Sequence, residues 1–131
     1  MNARTPLLCA AWLMAALSLP GCAATTPAPS WSDVQVDAHG HDDGGEFCAD
    51  FALTPSQART FLARATQVDA MTLHDRYDLL PCWVRGTARD THGRWHWEIR
   101  AGGTARLESP SGDVTLLGCD ACDELLGGRK K

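Results

Sequence analysis

The sequence predicts an α+β domain, with one helix packed on a curved antiparallel sheet of four to five strands in the order β-α-β-β-β-β. Three observations predict it. Thr54-Pro55-Ser56-Gln57 opens an amphipathic helical stretch, and from residue 79 onward apolar and polar residues alternate in short runs. The breaks between those runs are short and rich in Gly, Asp, Ser and Pro, which makes neighbouring strands antiparallel.

The elements follow in order. Phe47, Ala49, Phe51 and Leu53 alternate with Cys48, Asp50 and Ala52, the period-two pattern of a half-buried leading strand. Thr54 then reads as an N-cap, Pro55 sits at the first helical position where its missing N–H is harmless, and Gln57 reaches back to complete a capping box. Ala58, Phe61, Leu62, Ala65 and Val68 recur at helical spacing opposite Arg59, Thr60, Arg64 and Gln67, so the helix is expected over residues 55–68. An irregular connector over 69–78 follows. Strands are expected at 79–88, 94–101, 104–109 and 114–118, divided by DTHG, a Gly102-Gly103 pair and PSGD. A helix lying across one face of that meander buries Phe61, Leu62, Trp95, Trp97 and Ile99 together. The order of elements resembles the cystatin-like arrangement, a likeness of topology that implies no activity.

Ahead of this domain the chain reads as a processing segment and a spacer. Arg4 supplies a positive charge before the uncharged apolar run Leu7 to Leu19, too short to span a bilayer as a mature helix. Leu19-Pro20-Gly21-Cys22 then resembles the lipobox of bacterial lipoproteins. That resemblance implies cleavage before Cys22, a diacylglycerol on its thiol and acylation of the new amino terminus. Buried acyl chains contribute about 0.8 kcal/mol per methylene and hold a protein on a membrane without a spanning helix. Ala23-Ala24 is not an acidic retention signal, so the outer membrane, facing the periplasm, is the expected address. The organisation that results is a signal peptide over 1–21, a lipidated flexible tether over 22–45 and a single α+β domain over 46–131.

The whole chain carries a formal net charge of −4, and its acids are unevenly placed. Asp33, Asp37, Asp42, Asp43, Glu46 and Asp50 fall in a stretch without Lys or Arg, while residues 51–131 are near balance. Nothing in the sequence forms the basic stripe that a nucleic acid needs, so no nucleic-acid partner is expected. The acid-rich stretch reads as a solvated spacer. Within it His39, His41, Asp42 and Asp43 are ordinary ligand types for a divalent cation, but a flexible clip loses much ordering entropy on binding. No resident metal and no cofactor are expected.

The pieces FCADFALT at 47–54, YDLLPCWVRGT at 77–87, WEIRAGGTA at 97–105 and CDAC at 119–122 resemble, in their order and spacing, a family of small cysteine-containing bacterial secreted proteins and lipoproteins. The resemblance spans nearly the whole domain. It implies export and supplies no catalytic residue.

Cysteine usage agrees with export. With Cys9 in the signal and Cys22 in the lipobox, Cys48, Cys82, Cys119 and Cys122 remain, an even set that reads as two structural disulfides with three pairings open. In an up-and-down sheet the start of the first meander strand and the end of the fourth lie at one end, which gathers Cys82 and Cys119 there. Cys119 and Cys122 also have the C-x-x-C spacing of thiol oxidoreductases, although the segment after them provides barely one helical turn to lower a thiol pKa.

No hydrolytic constellation stands out. His74 lies beside Asp75 in a polar connector, and Ser56, Ser109 and Ser111 occupy helix-start or turn positions. The side of the sheet away from the helix is expected to carry Trp83, Arg85, Arg94, His96, Arg100 and Arg106. Of these, Trp83, Arg85, His96 and Arg100 are the candidate binding surface, since an aromatic among bases suits recognition. Connector 69–78 covering Trp83 is the competing arrangement. The function expected is a non-catalytic, lipid-anchored module that binds a protein partner, as an inhibitor or an envelope accessory protein. The alternative is a thiol-disulfide redox protein using Cys119 and Cys122.

Overall fold

The structure is a computed structural model that describes residues 30–127 together with Gly21. Cys22 and, Gly21 apart, the predicted signal peptide lie outside the described residues. The fold is α+β: six antiparallel strands form one sheet in the order β1-β3-β4-β5-β6-β2, with two helices. The elements are β1 (Ser32–His41), α1 (Pro55–Arg64), β2 (Thr66–Gln67), α2 (Ala70–Arg76), β3 (Cys82–Asp90), β4 (Gly93–Arg100), β5 (Thr104–Glu108) and β6 (Val114–Gly118). The sheet therefore has more strands than the four to five expected. Among the described residues, no helix is long and apolar enough to cross a membrane.

The sequence-derived elements hold best where they depend on neighbours in the chain. Thr54 Oγ1 accepts from the Gln57 backbone N–H at 3.1 Å and Gln57 Oε1 accepts from the Thr54 N–H at 2.9 Å, so the capping box closes as expected. The four meander strands β3 to β6 pair in sequence order.

Several expectations are corrected. The tether over 22–45 is wrong for residues 32–41, which form β1 and pair antiparallel with β3. Trp31 and Val34 are 8% and 7% exposed and belong to the core, so this stretch is part of the domain and not a spacer. The leading strand expected over 47–53 is instead a 3-10 turn, Glu46–Asp50, followed by extended chain. The edge of β3 that this strand would have paired with is already taken by β1. Finally, α1 stops at Arg64 and not at Val68, because Thr66 and Gln67 pair with Gly118 and Leu117 and the Val68 N–H donates to the Leu116 carbonyl at 3.0 Å. The connector 69–78 contains α2, capped by Asp69, whose carboxylate accepts from the Thr72 N–H at 2.7 Å.

The core lies between α1 and one face of the sheet. Phe61 and Leu62 meet Val84, Trp97, Ile99, Leu107 and Leu117, with Trp95 half-buried against them. Gly86 is required where β1 crosses β3: a Cβ there would run into the Gln35 carbonyl and the Trp97 ring.

The cysteines pair as Cys48–Cys82 and Cys119–Cys122. Both bonds lie at the end of the sheet where β4 turns into β5, since the Ala101 N–H donates to Cys82 and the Cys119 N–H donates to Gly103. The 3-10 turn, and not a strand, delivers Cys48 to that end.

Candidate functional site

Strand alternation decides which side chains share the face away from α1. The register places Trp83 opposite Arg100, Arg85 opposite Glu98 and Thr87 opposite His96 across β3 and β4. Glu98 faces Arg106, and His96 faces Glu108, across β4 and β5. Cys82, Val84, Gly86 and Ala88 point the other way, into the core. All four candidate surface residues, Trp83, Arg85, His96 and Arg100, thus lie on one face.

That face is organised around Glu98. Arg85 Nε donates to Glu98 Oε2 at 2.7 Å and Arg100 Nε donates to Glu98 Oε1 at 2.8 Å. Arg100 Nη1 donates onward to Asp42 Oδ2 at 2.7 Å and to the Leu80 carbonyl at 3.4 Å. Arg85 also lies over the Trp83 ring, 3.9 Å from its centroid, a cation-π contact. The hydrogen bond from Arg100 is the main reason that the Asp42 carboxyl is held below its ordinary value. Burial works against the charge of the Arg100 guanidinium, but the bond to Asp42 and the nearby Glu98 outweigh it and leave the group above its usual value. Arg106 pairs with Glu108 at 3.2 Å, so three arginines here meet three carboxylates and no positive surplus remains among them.

Trp83 is half-buried. Gly40 of β1 lies so close that a Cβ there would fall 2.6 Å from the indole, and Arg85 takes one ring face. Sequence reasoning gave Asp42 and Glu98, the two carboxylates that hold the arginines, no part in this surface and read Asp42 only as a cation-ligand type. Glu98 was legible from its place on the polar side of β4, but Asp42 lies just past the end of β1.

Two hollows open beside this network. One, of about 430 Å³, has Leu73, Leu79, Leu80 and Leu116 for apolar walls, with Arg100 and Arg106 among its polar residues. The other, of about 310 Å³, is lined by Asp37, Arg85, His96, Glu98 and Arg106. Glu98 and Arg106 belong to both, so the two hollows adjoin along the outer face. Tyr77 anchors the α2 end of it: its hydroxyl donates to Asp120, and its ring lies on Gly118, where a Cβ would collide with it. Arg76 also meets Asp120, at 3.3 Å.

Asp42 excepted, the other residue groups singled out from the sequence lie apart from this face. Cys119 and Cys122 are bonded to each other, 5% and 0% exposed. His39 and His41 stand opposite Val84 and Cys82 on β1 while Asp42 turns to Arg100. Among the described residues no group of three or more His, Cys, Asp or Glu is placed to hold a metal ion. His74 and Asp75 meet at 3.1 Å on α2 with both side chains mostly open to solvent, whereas Ser109 and Ser111 belong to the turn between β5 and β6. The chain matches no protein-family model, no curated protein and no solved structure.

Proposed function

We propose that this chain is a lipid-anchored, non-catalytic module that binds a protein partner through the outer face of its sheet, displayed from the outer membrane toward the periplasm. One observation carries the binding part: Trp83 and Arg85, the residue types enriched at interface hot spots, are stacked on each other and clamped by Glu98 beside a partly apolar depression. Side chains already fixed in one geometry lose little conformational entropy when a partner docks. The paired charges suit a mixed protein surface better than a polyanion. The anchor rests on Leu19-Pro20-Gly21-Cys22 and on the likeness to small exported lipoproteins. The cystatin-like arrangement belongs to this reading and lends it no activity. Inhibition of an envelope enzyme and support of envelope assembly are its two concrete forms.

The test compares the wild-type chain with Trp83→Ala/Arg85→Glu as bait in envelope extracts. The expected result is a protein retained by the wild type and lost by the variant, with both baits equally folded. An identical retained set would remove the outer face from consideration.

The redox alternative has one observation in its favour, the bond between Cys119 and Cys122 themselves. Exchange needs a sulfur that an incoming thiolate can reach, and both residues are buried. Reduction of that bond in the folded protein by a mild dithiol would reverse the ranking.

A further inference from the structure

A second concentration of tryptophan lies on the opposite side of the sheet. α1 ends at Arg64 and the chain leaves through Ala65 into β2. Beside that exit Trp31, just ahead of β1, meets Trp95 of β4 edge to face, their ring centroids 5.6 Å apart at 85°. Two hollows adjoin Trp95. The first, of about 350 Å³, has an apolar floor of Trp31, Leu62, Leu107 and Leu117, with Gln67 and Asp90 as polar lining. The second, of about 430 Å³, lies between Trp95, His92 and the β5–β6 turn with Ser109, Ser111 and Asp113. Trp95 and Thr115 are common to both. Each volume falls in the range of small-ligand sites.

The lining restricts what fits. Neither hollow is lined by Lys or Arg, and each presents an aspartate, so an anionic head group would meet repulsion and no counter-charge. The indole N–H of Trp31, a residue 8% exposed, has no acceptor among the described residues. Trp95 Nε1 is in the same condition: Asp90 lies near enough to interact with it but makes no well-formed hydrogen bond. Ser109, Ser111 and Asp113 hydrogen-bond among themselves and Asp90 accepts from the His92 N–H, but each keeps hydrogen-bonding capacity toward solvent, and a wholly apolar occupant would dehydrate them without replacement. The matching chemistry has flat C–H faces for an indole, several hydroxyls that both donate and accept, and no negative charge. A sugar ring has all three. Its polarised C–H bonds pack on the electron-rich ring face, and its hydroxyls serve carboxylates and serines at the edge.

We propose that the Trp31–Trp95 corner binds a neutral oligosaccharide, with Trp95 as the stacking platform between two adjacent sugar positions. This site is separate from the Trp83 face and does not depend on that reading. The test follows the indole N–H resonances of the purified full chain by NMR as chitotetraose, cellotetraose and maltotetraose are added in turn, with decanoate as the apolar anionic control. At least one saccharide should shift Trp31 and Trp95 saturably, with a Kd of about 1 mM or tighter, while Trp83 stays still. Trp95→Phe, which keeps an aromatic core residue, should weaken that binding several-fold, and Trp95→Ala about tenfold or more. Asp113→Ala, in the exposed turn, tests the polar rim without touching the core and should cost about threefold. The proposal fails if none of the three saccharides shifts these resonances, if decanoate shifts them and the saccharides do not, or if Trp95→Phe and Asp113→Ala both bind as the wild type does.

Discussion

Tyr77 donates its phenolic hydrogen to Asp120 Oδ1 at 2.7 Å, joining the end of α2 to the loop closed by Cys119 and Cys122. Because this bond uses the neutral phenol and brings a carboxylate beside it, the Tyr77 hydroxyl is raised above its ordinary value of 10.0. A group raised in the folded state contributes stability that is intact below the unfolded value and is lost as pH rises through the folded one. Tyr77 is the chain's single tyrosine, so an ultraviolet titration reads it alone. Its midpoint should lie above 10.0 in the wild type and fall back in Asp120→Asn. Equal midpoints in the two proteins would show that the bond does not form in solution.

The Arg100–Asp42 pair predicts the opposite direction. Asp42 is held below its ordinary 3.8, so the contact persists above that pH and is lost as acid titrates the carboxyl through its lower folded value. Carboxyl NMR of Asp42 should give a midpoint under 3.8 that rises in Arg100→Ala. Asp42 is about half exposed, so removing its side of the pair in Asp42→Asn should change the unfolding midpoint only slightly, whereas Arg100→Ala also takes a partner from the mostly buried Glu98.

The helix is tested at Ala58. Its N–H donates to the Thr54 carbonyl at 3.0 Å, and the residue is 0% exposed. Ala58→Pro removes that bond and forces a ring against the preceding turn, at a cost of about 3 kcal/mol, a large part of a small domain's stability. An unchanged denaturant midpoint would contradict the placement of α1 against the core.

The two disulfides should differ in worth. Cys48–Cys82 spans a sequence separation of 34 and Cys119–Cys122 a separation of 3. In the chain-entropy model the first restricts the unfolded state by about 4 kcal/mol and the second by about 2 kcal/mol. Cys48→Ala/Cys82→Ala should therefore unfold at clearly lower denaturant than Cys119→Ala/Cys122→Ala. The reverse order would mean that native packing around the short loop, and not loop closure, dominates.

Lipidation is testable at one atom. If Cys22 carries the proposed lipid, Cys22→Ser removes the acceptor thiol, and the protein should lose acyl mass and its partition into the membrane fraction. An identical mature mass in the same fraction would rule out Cys22 as the anchor.

What the sequence determined by itself was whatever closes over a few residues. The capping box at Thr54 and Gln57 is made within four positions, and β3 to β6 are legible because strict alternation and short turns leave antiparallel neighbours as the natural solution. The outward set Trp83, Arg85, His96 and Arg100 follows from the same alternation. Only the tertiary structure decided β1. Val34 and Val36 alternate with Asp33, Gln35 and Asp37, but register shifts between Ser32 and Gln35 and between Val36 and Ala38 break the period, and the strand exists because β3 offers an edge some fifty residues later. The same distance hid the cysteine pairing, the early end of α1 at its contact with β6, and the reach of Asp42 to Arg100. Local patterns carry their own hydrogen bonds and side-chain faces, whereas an edge strand, a disulfide partner or a bridging carboxylate is specified by groups that meet only after the chain has folded.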